Sequence, residues 1–447
     1  MEITIRAAVA RVAARNSELR AIATPTLAAA LERAAAPSAG ARGPLDGVPY
    51  CLKDTWDTRG LRTAGGSWRY RHRVPALSGA VHLAFERAGA VLIGKSNVPD
   101  LALVPECDNY LVGRTANPHD LARTSGGSTG GGAAAVADGM AAFDWGSDSG
   151  GSIRLPSAFC GIAGVRLASR YWPPVGHFPP HRLGLWLNGM GPLARSVAAC
   201  RAIIDAVAPA LRQRRGPAFT ATGAAILDVD AFARGAWGQF GDDARRLLAR
   251  AGIAVQPAAL PSPRAADRAY AWLIGSRFHR MFAGQPFELG SAVVSALTLG
   301  PWLGDRRVHP ATGRVIATLA VARATIYRSA RAADARVARV QEAVRAVWER
   351  QCVIVTPTTT FPAPLHGRAL ATRGLAAFAK LGNLVDATAV AIPCGRFPSG
   401  MPRSIQVLGP PGSEDATLEV AERIERAAHA MYGPPPRPPV AARGRDL

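Results

Sequence analysis

Residues 124–157 read TSGGSTGGGAAAVADGMAAFDWGSDSGGSIRLPS and hold two glycine-flanked serines, Ser128 and Ser152. The glycines beside each serine let the backbone take conformations closed to other residues and turn its N–H groups toward a ligand, so each serine is displayed rather than packed. The small-residue run AAAVADGMA predicts a helix whose N-terminus points free N–H groups at the first loop. AAFDW predicts a buried strand that delivers the second loop.

The same alternation extends in both directions. Residues 1–36 predict two helices ending near Pro37, followed by a GARGPLDG turn and the strand VPYCLKD. A helix over Ser78–Ala90 feeds the strand VLIGK. Beyond the second serine, SIRLPSAF predicts a short helix, GIAGVRL a strand and MGPLARSVAACRAIIDAVA another helix. Strand AAILDV, helix GDDARRLLARAG and strand IAVQP follow, then a long helix from about Gly313 to Arg350, strand CVIVTPT, strand SIQVLG and the helix SEDATLEVAERIERAAHAM. Repeated strand–helix alternation indicates an α/β layered fold with a parallel or mixed sheet, whose sites gather in loops beyond strand ends. Residues 209–219 and 261–264 are polar or proline-rich connections. The stretch PPPRPPVAARGRDL, residues 434–447, cannot pack a core and predicts a disordered tail or a proline-rich ligand. The predicted domain is therefore residues 1–433.

The chain has 447 residues, 48% of them hydrophobic, enough for a sizeable core and unlike a disordered polypeptide. Its net charge of +21 invites an acidic partner, but the arginines are spread along the whole length rather than blocked with aromatics. A specific nucleic-acid partner is not expected, because a compositional drift toward Ala, Gly, Pro and Arg accounts for the charge. Cysteines 51, 107, 160, 200, 352 and 394 show no C-x-x-C spacing and read as small buried hydrophobes in a reducing compartment. With no signal peptide and no run of eighteen apolar residues, the expectation is a cytoplasmic protein without a membrane span, compatible with a homo-oligomer.

Displayed serines need a base. Of 53 lysine and arginine residues only Lys53, Lys95 and Lys380 are lysine, leaving 50 arginines. Arginine stays protonated, whereas a desolvated lysine can lose its proton, so a sequence this averse to lysine has a chemical reason to keep one. Lys53, in VPYCLKD, is the candidate base. Cys51 is an alternative nucleophile, but its place in a predicted strand favours packing. His177 and His181 have H-x-x-x-H spacing, but Phe178, Pro179 and Pro180 between them forbid the helix that a zinc site of this kind uses. No metal or cofactor is expected.

These segments resemble the amidase signature family of serine hydrolases over nearly the whole chain: GPLDGVPYCLKD, GAVLIGKSNVPDLA, GRTANPHDLARTSGGSTGGG, GSDSGGSIRLPSAFCGIAG, MGPLARSV, VTPT, AVAIPCG and IQVLGPPGSEDATLEVA. The resemblance implies a single mixed-sheet α/β domain and a Ser-cisSer-Lys triad. Ser152 would form the acyl-enzyme, Ser128 would bridge on a cis Gly127–Ser128 peptide, and Lys53 would be the base. The backbone N–H groups of Ser149, Gly150, Gly151 and Ser152 are candidates to hold the oxyanion that an amide carbonyl develops under attack. Asp148 and Arg154 flank this loop as supports, pairing with each other or with nearby backbone.

Two departures stand out. Thr129 replaces a second serine of the bridging loop, and Val165, Arg166, Leu167, Ala168 and Ser169 occupy the place of a K-P-T or K-P-S segment, which bears on substrate class. The leading expectation is hydrolysis of a small-molecule carboxamide, and Trp172, Phe178, Leu185, Trp186 and Leu187 suggest an apolar or aryl acyl group. Acyl transfer or cyclisation by an amine acceptor is an alternative. So is a catalytically silent basic binding protein. The amidase subunit of a glutamine-dependent amidotransferase fits less well, since its K-P-T-Y-G-R-V-S and S-S-L-D-Q stretches are absent.

Overall fold

Residues 49–53 and 143–148 are buried along their entire length in this computed structural model, as strands covered on both faces must be. The structure describes residues 3–36, 43–180, 185–232, 235–277, 306–435 and 438. Ten strands form one sheet: β1 (Ile22–Pro25), β2 (Pro49–Lys53), β3 (Val91–Ser96), β6 (Phe143–Asp148), β7 (Ala163–Arg166), β8 (Gly189–Ala194), β9 (Gly223–Ile226), β10 (Cys352–Pro357), β11 (Thr388–Arg396) and β12 (Pro402–Gly409). Between β3 and β6 in sequence, β4 (Ala116–Asn117) and β5 (Asp120–Thr124) pair as a separate small sheet. The spatial order is β1-β3-β2-β6-β8-β7-β11-β12-β10-β9. Strand β2 runs parallel to β3 and β6, and β9 parallel to β10, while the other pairs are antiparallel.

Twelve helices among the described residues flank it: α1 (Ile5–Leu19), α2 (Leu27–Ala35), α3 (Ala80–Arg87), α4 (Gly130–Asp138), α5 (Arg154–Cys160), α6 (Val197–Leu211), α7 (Phe240–Arg250), α8 (Pro263–Ser276), α9 (Pro310–Thr325), α10 (Ala330–Glu349), α11 (Ala377–Leu384) and α12 (Glu414–Tyr432). The period-two pleat sorts side chains between the two helical layers. Tyr50 and Leu52 of β2 join Phe143 and Trp145 of β6 against Phe85 of α3 and Ile203 of α6, whereas Cys51 packs with Val12 of α1 and Ala134 of α4. Farther along the sheet, Val353 and Val355 enter the first cluster and Cys352 and Ile354 pack with α8, α10 and α11. Each large side chain buried this way contributes about 1.5–3 kcal/mol.

The mixed α/β sheet agrees with the sequence reading, and several element boundaries do not. MGPLA is not helical: it forms β8, between β6 and β7, where Pro192 sits opposite Trp145. The helix begins only after Ser196, whose side chain caps it by accepting from the Ala199 N–H. The expected helix over 313–350 is two helices, α9 and α10, the second capped by Ser329. In IAVQP only Val255 makes a strand-like bridge, to Ala224, and Pro257 has no N–H with which to extend the ladder. Between the two N-terminal helices, β1 pairs with β3, and Asn16 hydrogen-bonds both the N–H and C=O of Ile22. PSPR is the start of α8, capped by Ser262. Most of the tail predicted over 434–447 lies outside the described residues.

Candidate active site

Lys53 ends β2 and Ser147 lies near the end of β6, so the parallel pairing of Leu52 with Trp145 sets both at the carboxyl edge of neighbouring strands. That edge is where open α/β sheets place their ligands. Lys53 Nζ hydrogen-bonds Ser128 Oγ at 2.9 Å, Ser147 Oγ at 2.9 Å and the Ser147 carbonyl at 3.0 Å. It is completely buried. Burial pushes its pKa down from 10.5 to about 7, against the opposing pull of the Asp148 and Asp144 carboxylates.

Ser128 precedes α4, and the Gly127–Ser128 peptide is cis. Helix α4 can approach so closely because its residues are small: a side chain at Gly131 would run into the backbone of Asn97 and Ala21. The Thr129 N–H donates to the Ser152 carbonyl at 3.0 Å and ties the two serine loops together. Thr129 Oγ1 itself is buried with no hydrogen-bond partner.

Ser152 sits at the entry to α5 and, with Ser128, Ser147, Ser149 and Gly150, faces a cavity of about 1140 Å³. Its loop hangs on Asp148. That carboxylate accepts from the N–H groups of Gly151 at 2.8 Å and Ile153 at 3.1 Å and from two guanidinium nitrogens of Arg154 at 3.0 Å. Burial alone would push the Asp148 carboxyl up, but the Arg154 guanidinium and its hydrogen bonds hold it well below the usual carboxylate range. Arg154 reaches on to Asn383 at 2.7 Å and Gln406 at 3.0 Å. The supporting pair read from the sequence is thus present. The Gly151 N–H, an oxyanion candidate, is committed to Asp148. Gly151 has φ +106°, and a side chain there would meet Ala379 at 2.7 Å.

Sequence reasoning missed four neighbours of the serine loops. Ser147 is one, and its position at a parallel strand end, five residues before Ser152, was the available signal. His177 Nε2 hydrogen-bonds Ser147 Oγ at 2.9 Å, and its ring lies edge-on to Trp56, so this histidine borders the site. Tyr270, on the unpredicted helix α8, donates its hydroxyl to the Ser149 carbonyl at 3.0 Å. Ser149 Oγ is 2.8 Å from Asn188 Oδ1. No pattern around Tyr270 or Asn188 marked them in the sequence.

Of the residues expected to form an apolar substrate pocket, Trp172, Phe178, Trp186 and Leu187 do not line this cavity. Trp172 is core and donates its indole N–H to Glu414, Phe178 packs against Tyr70 and Arg73, and Trp186 and Leu187 join the α8–α11 cluster. The Leu185 side chain lies outside the described residues. Apolar lining comes instead from Leu103, Val104, Leu155, Ile274, Val315 and Leu319. In the Val165–Ser169 segment, Arg166 and Ser169 both bind Asp386, and Arg166 donates to the Ala387 carbonyl at 2.7 Å, so this segment anchors the start of β11. Cys51 is buried in β2, and burial pushes its thiol well up, so no thiolate is available there. Among the described residues no group of side chains is arranged to hold a metal, and His181 lies outside them. No helix among them is long and apolar enough to cross a membrane.

A model of the amidase family matches residues 4–219 and 240–418. A glutamyl-tRNA(Gln) amidotransferase subunit from Heliobacterium modesticaldum is 38% identical over 203 residues, 44% of this chain and 41% of that protein. The chain therefore spans about two fifths of that relative's length. A protein named AmiB2 from Mycobacterium tuberculosis is 32% identical over 425 residues, 87% of this chain and 83% of its own. Among solved structures, the native peptide amidase of Stenotrophomonas maltophilia superposes with a TM-score of 0.78 at 24% identity, covering 98% of this chain and 95% of that one.

Proposed function

The chain belongs to the amidase signature family, and from that premise we propose that it hydrolyses a carboxamide through an acyl-enzyme formed on Ser152. The observation that carries this reading is the buried contact of 2.9 Å between Lys53 Nζ and Ser128 Oγ, with Ser128 and Ser152 on one cavity wall. An amide carbon is a poor electrophile, so the attacking hydroxyl needs a base and the oxyanion needs preorganised donors. Neutral Lys53 takes the proton that Ser128 relays from Ser152. The tetrahedral oxyanion is held by backbone N–H groups of the loop carrying Ser149, Gly150 and Ser152. Gly151 contributes only if its N–H is shared with Asp148.

Collapse of the tetrahedral species breaks the C–N bond, and the amine leaves with a proton returned through Ser128. Water then attacks the ester carbonyl by the same relay run again. The apolar wall formed by Leu155, Ile274 and Leu319 supports an acyl or amine portion of apolar character. The test is a fluorophosphonate: it should label Ser152, and Ser152→Ala should lower kcat by on the order of 10⁴-fold. Labelling at Ser128 or Cys51 would overturn the assignment.

A further inference from the structure

The charges around the cavity are unequal. Its cationic lining includes Arg69, Arg314 and Arg373, whereas the one carboxylate among its described lining residues, Asp267, is engaged by Lys380 at 2.6 Å. Among the described residues none of these three arginines makes an ion pair. Arg69 and Arg314 stand on segments far apart in sequence that meet at one corner. The Arg306 guanidinium lies 5.6 Å from the Trp68 ring. The His309 N–H donates to Asp100 Oδ2 at 2.7 Å, and Thr312 Oγ1 donates to the Asp100 carbonyl at 3.1 Å. Burial lowers the pKa of His309, and Arg314 is among the nearby charges that lower it further. Leu101 and Ala102, the residues after Asp100, are part of the cavity wall themselves.

With 50 arginines in the chain, an arginine on the surface without an ion pair is ordinary. These differ in lining, from three separate segments, one concave and largely apolar cavity, and the segments of Arg69 and Arg314 meet there. Like charges gathered there repel one another, and a cleft with low-dielectric sides focuses their field inward, which raises the local concentration of an anion. A guanidinium fork also matches a carboxylate in geometry.

We propose that the amide substrate carries a carboxylate at the far end of an apolar body, and that Arg69 and Arg314 hold that carboxylate while the amide lies at Ser152. This deepens the acyl-enzyme reading and rests on it. The anion supplies the counter-charge that the described lining residues do not, and the apolar lining takes the chain between the two ends.

The test compares the second-order labelling rate of Ser152 by alkyl fluorophosphonates. One series ends in a methyl group, and two others carry a carboxylate at the end of the alkyl or the alkoxy chain, over a range of chain lengths. A hydrogen-bonded contact to a charged group is worth about 1.5–3 kcal/mol, so the best carboxylated probe should react about tenfold faster or more than its neutral counterpart at low ionic strength. Added salt should close that gap in the unmodified protein, and the double substitution Arg69→Gln, Arg314→Gln should bring the ratio to about one. The neutral probe, read in the same variant, reports whether Ser152 is still assembled. Equal rates for all probes in the parent protein, or a preference that survives both salt and the double substitution, would overturn the proposal. Labelling of Ser152 by no probe would overturn the acyl-enzyme reading, and this proposal with it.

Discussion

Replacing Lys53 by methionine should change the pH dependence of stability as well as abolish activity. In the unfolded chain a lysine titrates near its ordinary value, whereas in the folded protein burial brings Lys53 from 10.5 to about 7. Between these limits the unfolded chain holds one more proton than the folded one, so stability rises with pH. The contribution is fully present above the unfolded value and is lost as pH falls toward 7. At about 1.4 kcal/mol per pH unit the whole interval amounts to roughly 5 kcal/mol, as an order of magnitude. Asp144, which burial also raises to about 7, is coupled to Lys53, so a midpoint seen in the parent belongs to the pair. The difference between the parent and the Lys53→Met variant reports the lysine together with its coupling to Asp144. Lost hydrogen bonds to Ser128 and Ser147 shift the variant by an amount that does not depend on pH. Chemical denaturation from pH 7 to 9.5 should show the parent gaining about 3 kcal/mol on the variant. The kcat/KM of the parent should climb below pH 7 and level off above it, and Lys53→Arg, always charged, should keep less than about a tenth of it. A stability difference that stays flat with pH, or an activity limb still rising beyond pH 9, would refute a neutral Lys53.

Two further outcomes follow from the supports of the serine loop. Tyr270→Phe removes the hydroxyl that donates to the Ser149 carbonyl, a loss of about 1 kcal/mol; steady-state kinetics should show kcat falling about fivefold with KM within about twofold, and a change confined to KM would count against a positioning role. Arg154→Met leaves the buried Asp148 carboxylate without its charged partner, and thermal and chemical unfolding should register a loss of about 3–5 kcal/mol. A variant within about 1 kcal/mol of the parent would show that Asn383 and the backbone donors suffice.

Where the sequence was legible, a local pattern coincided with a tertiary requirement. VPYCLKD and AAFDW are apolar because both faces of β2 and β6 are covered, and the small residues of α4 are small because its backbone lies against that of residues 21 and 97. Where it misled, the local pattern allowed two outcomes. MGPLA is apolar enough for either a helix or a strand, and pairing with two neighbouring strands decides between them, although Pro192 and the Ser196 cap were readable against the helix. The strand β1 is four residues long and owes its conformation to β3 and to Asn16, neither of which is visible from within it.

The site divides along the same physical line. Lys53, Ser128, Asp148, Ser152 and Arg154 are conspicuous in the sequence because each stands in a short segment whose composition is unusual: a lysine in a chain that avoids lysine, serines near glycines, opposite charges around a glycine loop. Tyr270, Asn188 and the cavity arginines carry no such mark, since a tyrosine on an amphipathic helix is ordinary and an arginine here is the default cation, and His177 is marked only by a spacing that points to a metal. Trp172 and Phe178 mislead for a related reason. Trp172 and Phe178 are conspicuous by size, and size is what a core recruits: Trp172 is fully buried and hydrogen-bonded to Glu414 on α12. Lysine rarity, too, is an incomplete guide, because Lys95 is equally buried, and burial brings it to about 8, yet it donates to the Trp56 carbonyl and Thr63 and is not part of the cavity wall. What separates the two lysines is the partner: Lys53 meets a serine that faces the cavity, and Lys95 meets groups that do not. Chemistry read from a sequence therefore extends as far as the groups within one loop, while the substrate is recognised by walls that only the fold assembles.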